Sequence, residues 1–303
     1  MPAPSKRRPV SPGGAAPILL ASVLWGSTGT VASFAPDGSD PAAVGCAGLV
    51  LGGLLLLLSS RDARRLPRSR DRRDRWLCAL GALGVAGYPV TFYPAVARAG
   101  VAVATVVALG SAPVFTGLLA WLAGGARPTV RWCLATAAAV LGCALLVLGP
   151  DLTGGAAPID LLGVGLAVFA GLSYAVYALV GGRLITRGHG SDAVLGAMFG
   201  GGALLVLPVP VVVGLHGAVT PRGAAVWLYL GLVTTFLAYR LFGHGLRRTS
   251  AQVATTLTLV EPAVAAVLGV LVLGERLPLF SWGGLAVLAV ALGGLVLPER
   301  HRR

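Results

Sequence analysis

Sorted only into apolar and polar positions, the chain reads as ten apolar blocks with brief polar punctuation. They fall at about 17–35, 41–59, 76–97, 100–123, 129–149, 160–181, 192–214, 223–243, 250–273 and 280–297. A helix rising 1.5 Å per residue needs about 20 apolar residues to cross a hydrocarbon layer of about 30 Å, and each block comes close to that length or passes it. No block alternates with the period of two that a half-buried strand would impose. The pattern predicts an all-α membrane protein of ten transmembrane helices. Residues 1–16 and 298–303 lack such runs and are expected as tails, the first rich in Pro, Ser and Arg and without stable structure.

Composition sharpens this picture. Of the 303 residues, 56% are hydrophobic and 12% charged, about half the charged share with which a soluble domain covers its surface. The net charge of +13 would suit nucleic acid, but the arginines sit between apolar blocks and near their ends, so no nucleic-acid partner is expected. The densest run, Arg61–Arg75 (RDARRLPRSRDRRDR), is a solvated loop that signals topology and, as a second reading, meets anionic membrane lipids. With the N-terminus in the cytoplasm, 21 of the 24 basic residues fall on that side, leaving Arg98, Arg222 and Arg276 outside. Both termini are therefore expected to be cytoplasmic and the span number even. Lys6 is the single lysine in this set, a bias that points to a GC-rich bacterial genome and hence to the plasma (inner) membrane. Lys6, Arg7 and Arg8 precede the first block, yet no small-residue cleavage site with a soluble mature domain follows. Cys46, Cys78, Cys133 and Cys143 lie in or beside apolar blocks without CxxC spacing and read as packing residues.

The chain also repeats itself. Ala112-Pro113 in VALGSAPVFTGLLAWLAGGARPT matches Glu261-Pro262 in LTLVEPAVAAVLGVLVLGERLP, 149 residues later. At the same offset Arg98 meets Arg247, Arg127 meets Arg276, and Trp25 meets Tyr174. Five spans per repeat is an odd number, so residues 17–149 and 160–297 are expected as two five-helix repeats of inverted topology. In such proteins the substrate site lies where the repeats meet.

Glu261 is the sharpest chemical signal, an ionisable group near the middle of an apolar span. Such a carboxylate costs at least about 2.5 kcal/mol at membrane depth unless it finds a partner, water or a proton. Its functional reading is a ligand for a cationic group or a proton. Its structural reading is an acceptor for neighbouring hydroxyls or backbone donors. Pro262 follows at once, cannot donate to the helical ladder, and is expected to kink the span and free the carbonyl of Thr258. Pro113 is expected to kink the matching span, and Pro89 with Pro94 the third. Trp25, Ser27 and Thr28 in span one, Tyr88 in span three, Ser111 in span four and Tyr174 and Tyr177 in span six supply aromatic faces and hydroxyls for a small amphipathic substrate, as do Thr255 and Thr258 beside Glu261. Their bland reading is helix packing. Arg240 reads as snorkelling to the headgroups, and Trp76, Trp227 and Trp282 as interfacial anchors. His189, His216, His244 and His301 are scattered over connecting segments and ends.

Together the Trp-Gly of LLASVLWGSTGTVAS, the paired segment ends ARPT and GERLP, and the Glu-Pro of span nine resemble the EamA-type drug/metabolite transporter superfamily. The resemblance covers residues 17–297 and implies ten helices, a central cavity and export of amino acids, other metabolites or toxic compounds by alternating access. The chain departs from the family pattern where Ala126 stands opposite Glu275. A proton is a candidate coupling ion, and the oligomeric state is left open. The same superfamily also holds lipid-linked and nucleotide-sugar carriers, which would need several basic side chains in the cavity. A third reading is a non-transporting assembly or sensor subunit. No HExxH, GxSxG, P-loop or His/Cys metal spacing appears, so neither an enzyme nor a cofactor is expected.

Overall fold

The computed structural model describes residues 12–125, 127–148, 160–214, 220–274 and 276–296, and among these it shows helices and turns but no strand. The expectations for residues 1–11, for the C-terminal tail, for Ala126 and Glu275, and for His216 and His301 lie outside the described residues.

Span one is α1 (Pro12–Ala32), which begins earlier than hydrophobicity alone suggests, so residues 12–16 are helical. Tertiary contact explains the extension. Gly13 and Gly14 lie against Arg248 and Thr249, and Arg248 Nη1 donates to the Gly13 carbonyl at 3.4 Å. Span two is α2 (Pro41–Ser59), started by Asp40, whose side chain accepts from the Ala43 amide. A short α3 (Arg61–Arg65) and a 3₁₀ turn (Leu66–Arg68) follow.

Next comes α4 (Arg72–Leu122), 51 residues of helix. At 1.5 Å per residue it is roughly 75 Å long, more than twice a bilayer core, and cannot be one crossing. It is broken at Gly100, with φ 82° and ψ 158°, backbone angles that essentially only glycine adopts. Spans three and four are thus its two limbs, joined by a one-residue corner. Elsewhere in α4 the backbone dihedrals stay helical through Pro89, Pro94 and Pro113. Proline's fixed φ is itself helical, and each ring forfeits a single hydrogen bond.

Spans five and six are α5 (Val130–Leu148) and α6 (Leu161–Thr186), and span seven joins α7 (Ser191–Val206) to α8 (Pro208–Val213). Span eight is α9 (Pro221–Tyr229), a π-helical stretch (Leu230–Leu237) and α10 (Ala238–Leu246). Span nine is α11 (Ala251–Leu257) and α12 (Val260–Leu273), with a break at Thr258 and Leu259, and span ten is α13 (Leu279–Val296). Helices that start at 72 and 221, and at 130 and 279, stand 149 residues apart, the offset of the sequence repeat.

The packing follows the same duplication. Span two lies on span seven and span five on span ten, as do elements related by a two-fold axis. A Cβ on Gly142 would stand 2.8 Å from the Gly284 carbonyl, and one on Gly284 would stand 2.6 Å from the Gly142 carbonyl. That reciprocal contact is open only to glycine. Around this axis α4 packs on α6, while α1 packs on α10 and α12. The result is one bundle of spans three, four and six, and its counterpart of spans eight, nine and one.

Arginines fasten the ends of each bundle. In the first, Arg98 bridges Asp160 at 3.0 Å. The Gly163 amide, together with Arg98, holds the Asp160 carboxyl below its ordinary 3.8. At its other end Arg187 binds Asp71 and, at 2.6 Å, the buried Asp74, which also meets His189 Nε2 at 2.7 Å. In the second bundle the partners are span one carbonyls or the turn after it: Arg222 Nε donates to Phe34 at 2.6 Å, and Arg248 to Gly13.

Candidate functional site

A cavity of ≈ 230 Å³ lies between the two bundles, closed laterally by spans two and seven. Its walls come mainly from the half of the molecule away from the Arg61–Arg75 loop. Glu261 stands in it, at the first turn of α12.

The local chain explains why Glu261 is presented there. Pro262 has no amide hydrogen to return to Thr258, and the helix breaks at Thr258 and Leu259, between α11 and α12. The helix tightens instead: the Leu259 amide donates to the Thr256 carbonyl and the Glu261 amide to the Thr258 carbonyl, at 3.1 and 2.9 Å. The Thr258 carbonyl is therefore satisfied three residues on, a correction to the expectation that proline frees it. Span one crosses this turn at Gly26, where a Cβ would lie 2.8 Å from the Glu261 carbonyl and 2.6 Å from Val264. Span five secures the preceding half, with Thr136 and Thr256 hydroxyls 3.0 Å apart and Trp132 Nε1 donating to Gln252 at 3.3 Å.

Among the described residues no hydrogen bond or ion pair reaches the Glu261 carboxylate, and no basic side chain lines the cavity. Arg240 points elsewhere, toward Asp192 at 3.4 Å and over the Phe236 ring. What surrounds the carboxylate is aromatic and hydroxylic. Tyr174 and Tyr177 stack at 4.9 Å, Tyr88 stands edge-on to Tyr174, and Tyr239 contacts Trp25, Phe199 and Tyr177. Trp25 Nε1 donates to the Thr234 carbonyl at 2.8 Å, within the π-helical stretch. Two contacts tie the bundles together beside Glu261: Tyr174 donates to Thr258 Oγ1 at 2.9 Å, and the Tyr177 and Tyr239 hydroxyls lie 3.2 Å apart. Thr28, Thr105 and Thr235 line the cavity, and no hydrogen bond to their hydroxyls is present among the described residues.

Of the residues singled out from sequence, Trp25, Thr28, Tyr88, Tyr174, Tyr177 and Glu261 line the cavity. Thr258 lies one layer back as the partner of Tyr174. Ser27, Ser111 and Thr255 lie off the lining. Ser27 bonds Leu24 and Tyr229, Ser111 donates to Ala108, and Thr255 is buried on Ala251 and Gln252. Sequence reasoning passed over Thr105, Phe199, Thr234, Thr235 and Tyr239. The Thr-Thr pair of LVTTFLAYR was the available signal for span eight. No group of three His, Cys, Asp or Glu side chains among the described residues could hold a metal ion.

The model of the EamA-like transporter family matches residues 13–148 and again 161–297. The chain belongs to the EamA-like transporter family. It is 37% identical over 287 residues to the uncharacterized transporter YwfM of Bacillus subtilis, covering 94% of each chain. It is 30% identical over 259 residues to the threonine/homoserine exporter RhtA of Escherichia coli, covering 83% of this chain and 81% of that one. A probable terminal-alkyne amino-acid exporter of Streptantibioticus cattleyicolor is 28% identical over 288 residues, with 94% and 92% covered. A solved crystal structure shares the fold with a TM-score of 0.74 at 20% identity, over 93% of this chain and 96% of that one. The protein is a multi-pass membrane transporter of this family, built as two repeats.

Proposed function

We propose that the protein exports a small amino-acid-like metabolite across the bacterial plasma membrane by alternating access, with both termini in the cytoplasm. The observation that carries this reading is the Glu261 carboxylate, unpaired among the described residues in a cavity to which they contribute aromatic faces and hydroxyls but no basic side chain. An isolated carboxylate there gains most from a cation, which a substrate ammonium or a proton supplies. Trp25, Tyr88, Tyr174 and Tyr177 would shape the apolar wall, with Thr28, Thr105 and Thr235 offering hydroxyls to polar ends. The cavity is smaller than the about 300–1,000 Å³ of drug-sized pockets, which favours a small metabolite over a drug. A phosphate would find no basic partner in it, which counts against a nucleotide-sugar or lipid-linked cargo. The amino-acid exporters among the relatives support the same substrate class.

Competition between proton and ammonium for Glu261 would couple export to the proton gradient. The test loads vesicles containing the purified protein with amino acids and measures exchange at several pH values. Wild type should exchange a small amino acid in a pH-dependent way, and Glu261→Gln should lose both the flux and its pH dependence. Unaltered flux in Glu261→Gln would remove this carboxylate from the mechanism. Reporter fusions that place the two termini on opposite faces would overturn the topology.

A further inference from the structure

We propose that the Arg61–Arg75 segment is a docking platform for anionic phospholipid headgroups in the leaflet it faces. Topology alone asks only for positive charge between spans two and three. The structure shows an ordered surface instead. Ser60 caps α3, Arg64 donates to the Leu58 carbonyl at 2.8 Å, and the two apolar residues Ala63 and Leu66 are buried. Ala63 sits against Gly196 of span seven, where an added Cβ would lie 2.7 Å away. With its apolar side held down, the segment turns all eight arginines to solvent.

Their compensation is missing. Asp71 and Asp74, the acids nearest the end of the run, are taken by Arg187 from the second repeat, and Asp74 also by His189. Within the segment Arg64, Arg68 and Arg75 bond only to backbone carbonyls. The guanidinium groups of Arg61, Arg65, Arg70, Arg72 and Arg73 have no hydrogen bond or ion pair among the described residues. Asp62 is the remaining carboxylate and does not pair with any of them. Guanidinium groups are suited to bidentate phosphate contacts. The membrane edge is marked beside them by the exposed Leu58, 61% accessible, and Trp76, 66% accessible. An exposed indole one residue beyond Arg75 belongs at headgroup depth. Phosphate-bearing lipids are therefore the anions within reach.

The experiment reconstitutes the whole chain in vesicles of phosphatidylcholine and phosphatidylglycerol, with bromine on the tails of one lipid or the other. The Trp76 signal is isolated by subtracting the spectrum of Trp76→Phe. Brominated phosphatidylglycerol should quench Trp76 several-fold more than its share of the bilayer predicts, and salt should erase that excess. Replacing Arg61, Arg65, Arg70, Arg72 and Arg73 by Gln should abolish it, whereas replacing them by Lys should keep part of it. Equal quenching by both lipids in wild type at low salt would overturn the proposal, as would an excess that survives the glutamines. Loss of the excess to inorganic phosphate, at an ionic strength where chloride leaves it intact, would also overturn it by assigning the arginines to a free anion. The wild-type salt series decides even if the glutamine variant fails to insert.

Discussion

The two bundles are copies of one plan and yet differ in how they are held. Spans three, four and six are fastened at both ends by ion pairs, Arg98 to Asp160 and Arg187 to Asp71 and Asp74, and their helices keep helical geometry through three prolines. Between spans eight, nine and one, Arg222 and Arg248 reach neutral carbonyls of span one and the turn after it, while Arg240 pairs outward with Asp192 of span seven; these spans also hold the π-helical stretch and the break before Pro262. The carboxylate is on this second side, at Glu261, while the first has Ala112 at the matching place. One copy is regular and ion-paired at its ends, and the other holds the irregular backbone and the charge. Irregular backbone at membrane depth is tolerated where it lines a cavity; the π-helical stretch does so through Leu230, Thr234 and Thr235, and the break stands just behind Glu261.

Moving the carboxylate is the strongest way to break this comparison. A double variant, Glu261→Ala with Ala112→Glu, restores the charge but on the regular helix, without the tightened turn that presents it. We expect exchange to stay at least about tenfold below wild type, the scale of a lost charge-assisted contact of about 1.5–3 kcal/mol. Recovery of flux in the vesicle assay would show that the asymmetry is immaterial.

The paired glycine contacts sharpen it next. Gly171→Ala would place a Cβ 2.1 Å from Ser111 Oγ and 2.6 Å from the Ala108 carbonyl, inside the regular bundle. Gly26→Ala would meet Val264 and the Glu261 carbonyl. Overpacking costs about 1–3 kcal/mol in either place. The first should appear chiefly as a lowered thermal midpoint in detergent. The second should appear chiefly as lost exchange, because it displaces the turn that holds Glu261.

The smallest effects are at the bundle ends. Asp74→Asn, at a buried carboxylate shared by Arg187 and His189, should lower the thermal midpoint by several degrees. Asp160→Asn, at a half-exposed pair, should barely move it. The Asp160 carboxyl is held below 3.8 in the folded protein. Its stabilisation is therefore present above that pH and fades as the pH falls through the lowered value. Any gap between wild type and Asp160→Asn should be visible at neutral pH and close in acid.

The spans and the repeat were legible because lipid imposes a length and a composition on every crossing, and an offset of 149 survives in Glu-Pro against Ala-Pro and in Trp25 against Tyr174. Glu261 was legible as a lone charge in an apolar run. The hydroxyls were less so, since a Thr in a helix serves its own carbonyls or a cavity equally well, and only packing decides. Thr28 faces the cavity while Thr255 turns back on Ala251. Tyr239 was hidden next to Arg240, whose charge drew the eye to the headgroups. The π-helical stretch beneath Thr234 has no sequence signature, because it reflects neighbours rather than propensity.

The corner at Gly100 carries one more consequence. A hairpin made by a single residue has no slack, so the azimuth of span four is set by counting residues from span three. One inserted amino acid at this corner would turn everything after it by about 100°, swinging Thr105 and Leu109 away from the cavity. The corresponding connection between spans eight and nine runs over Arg247 to Ser250 and would absorb the same insertion within its own length.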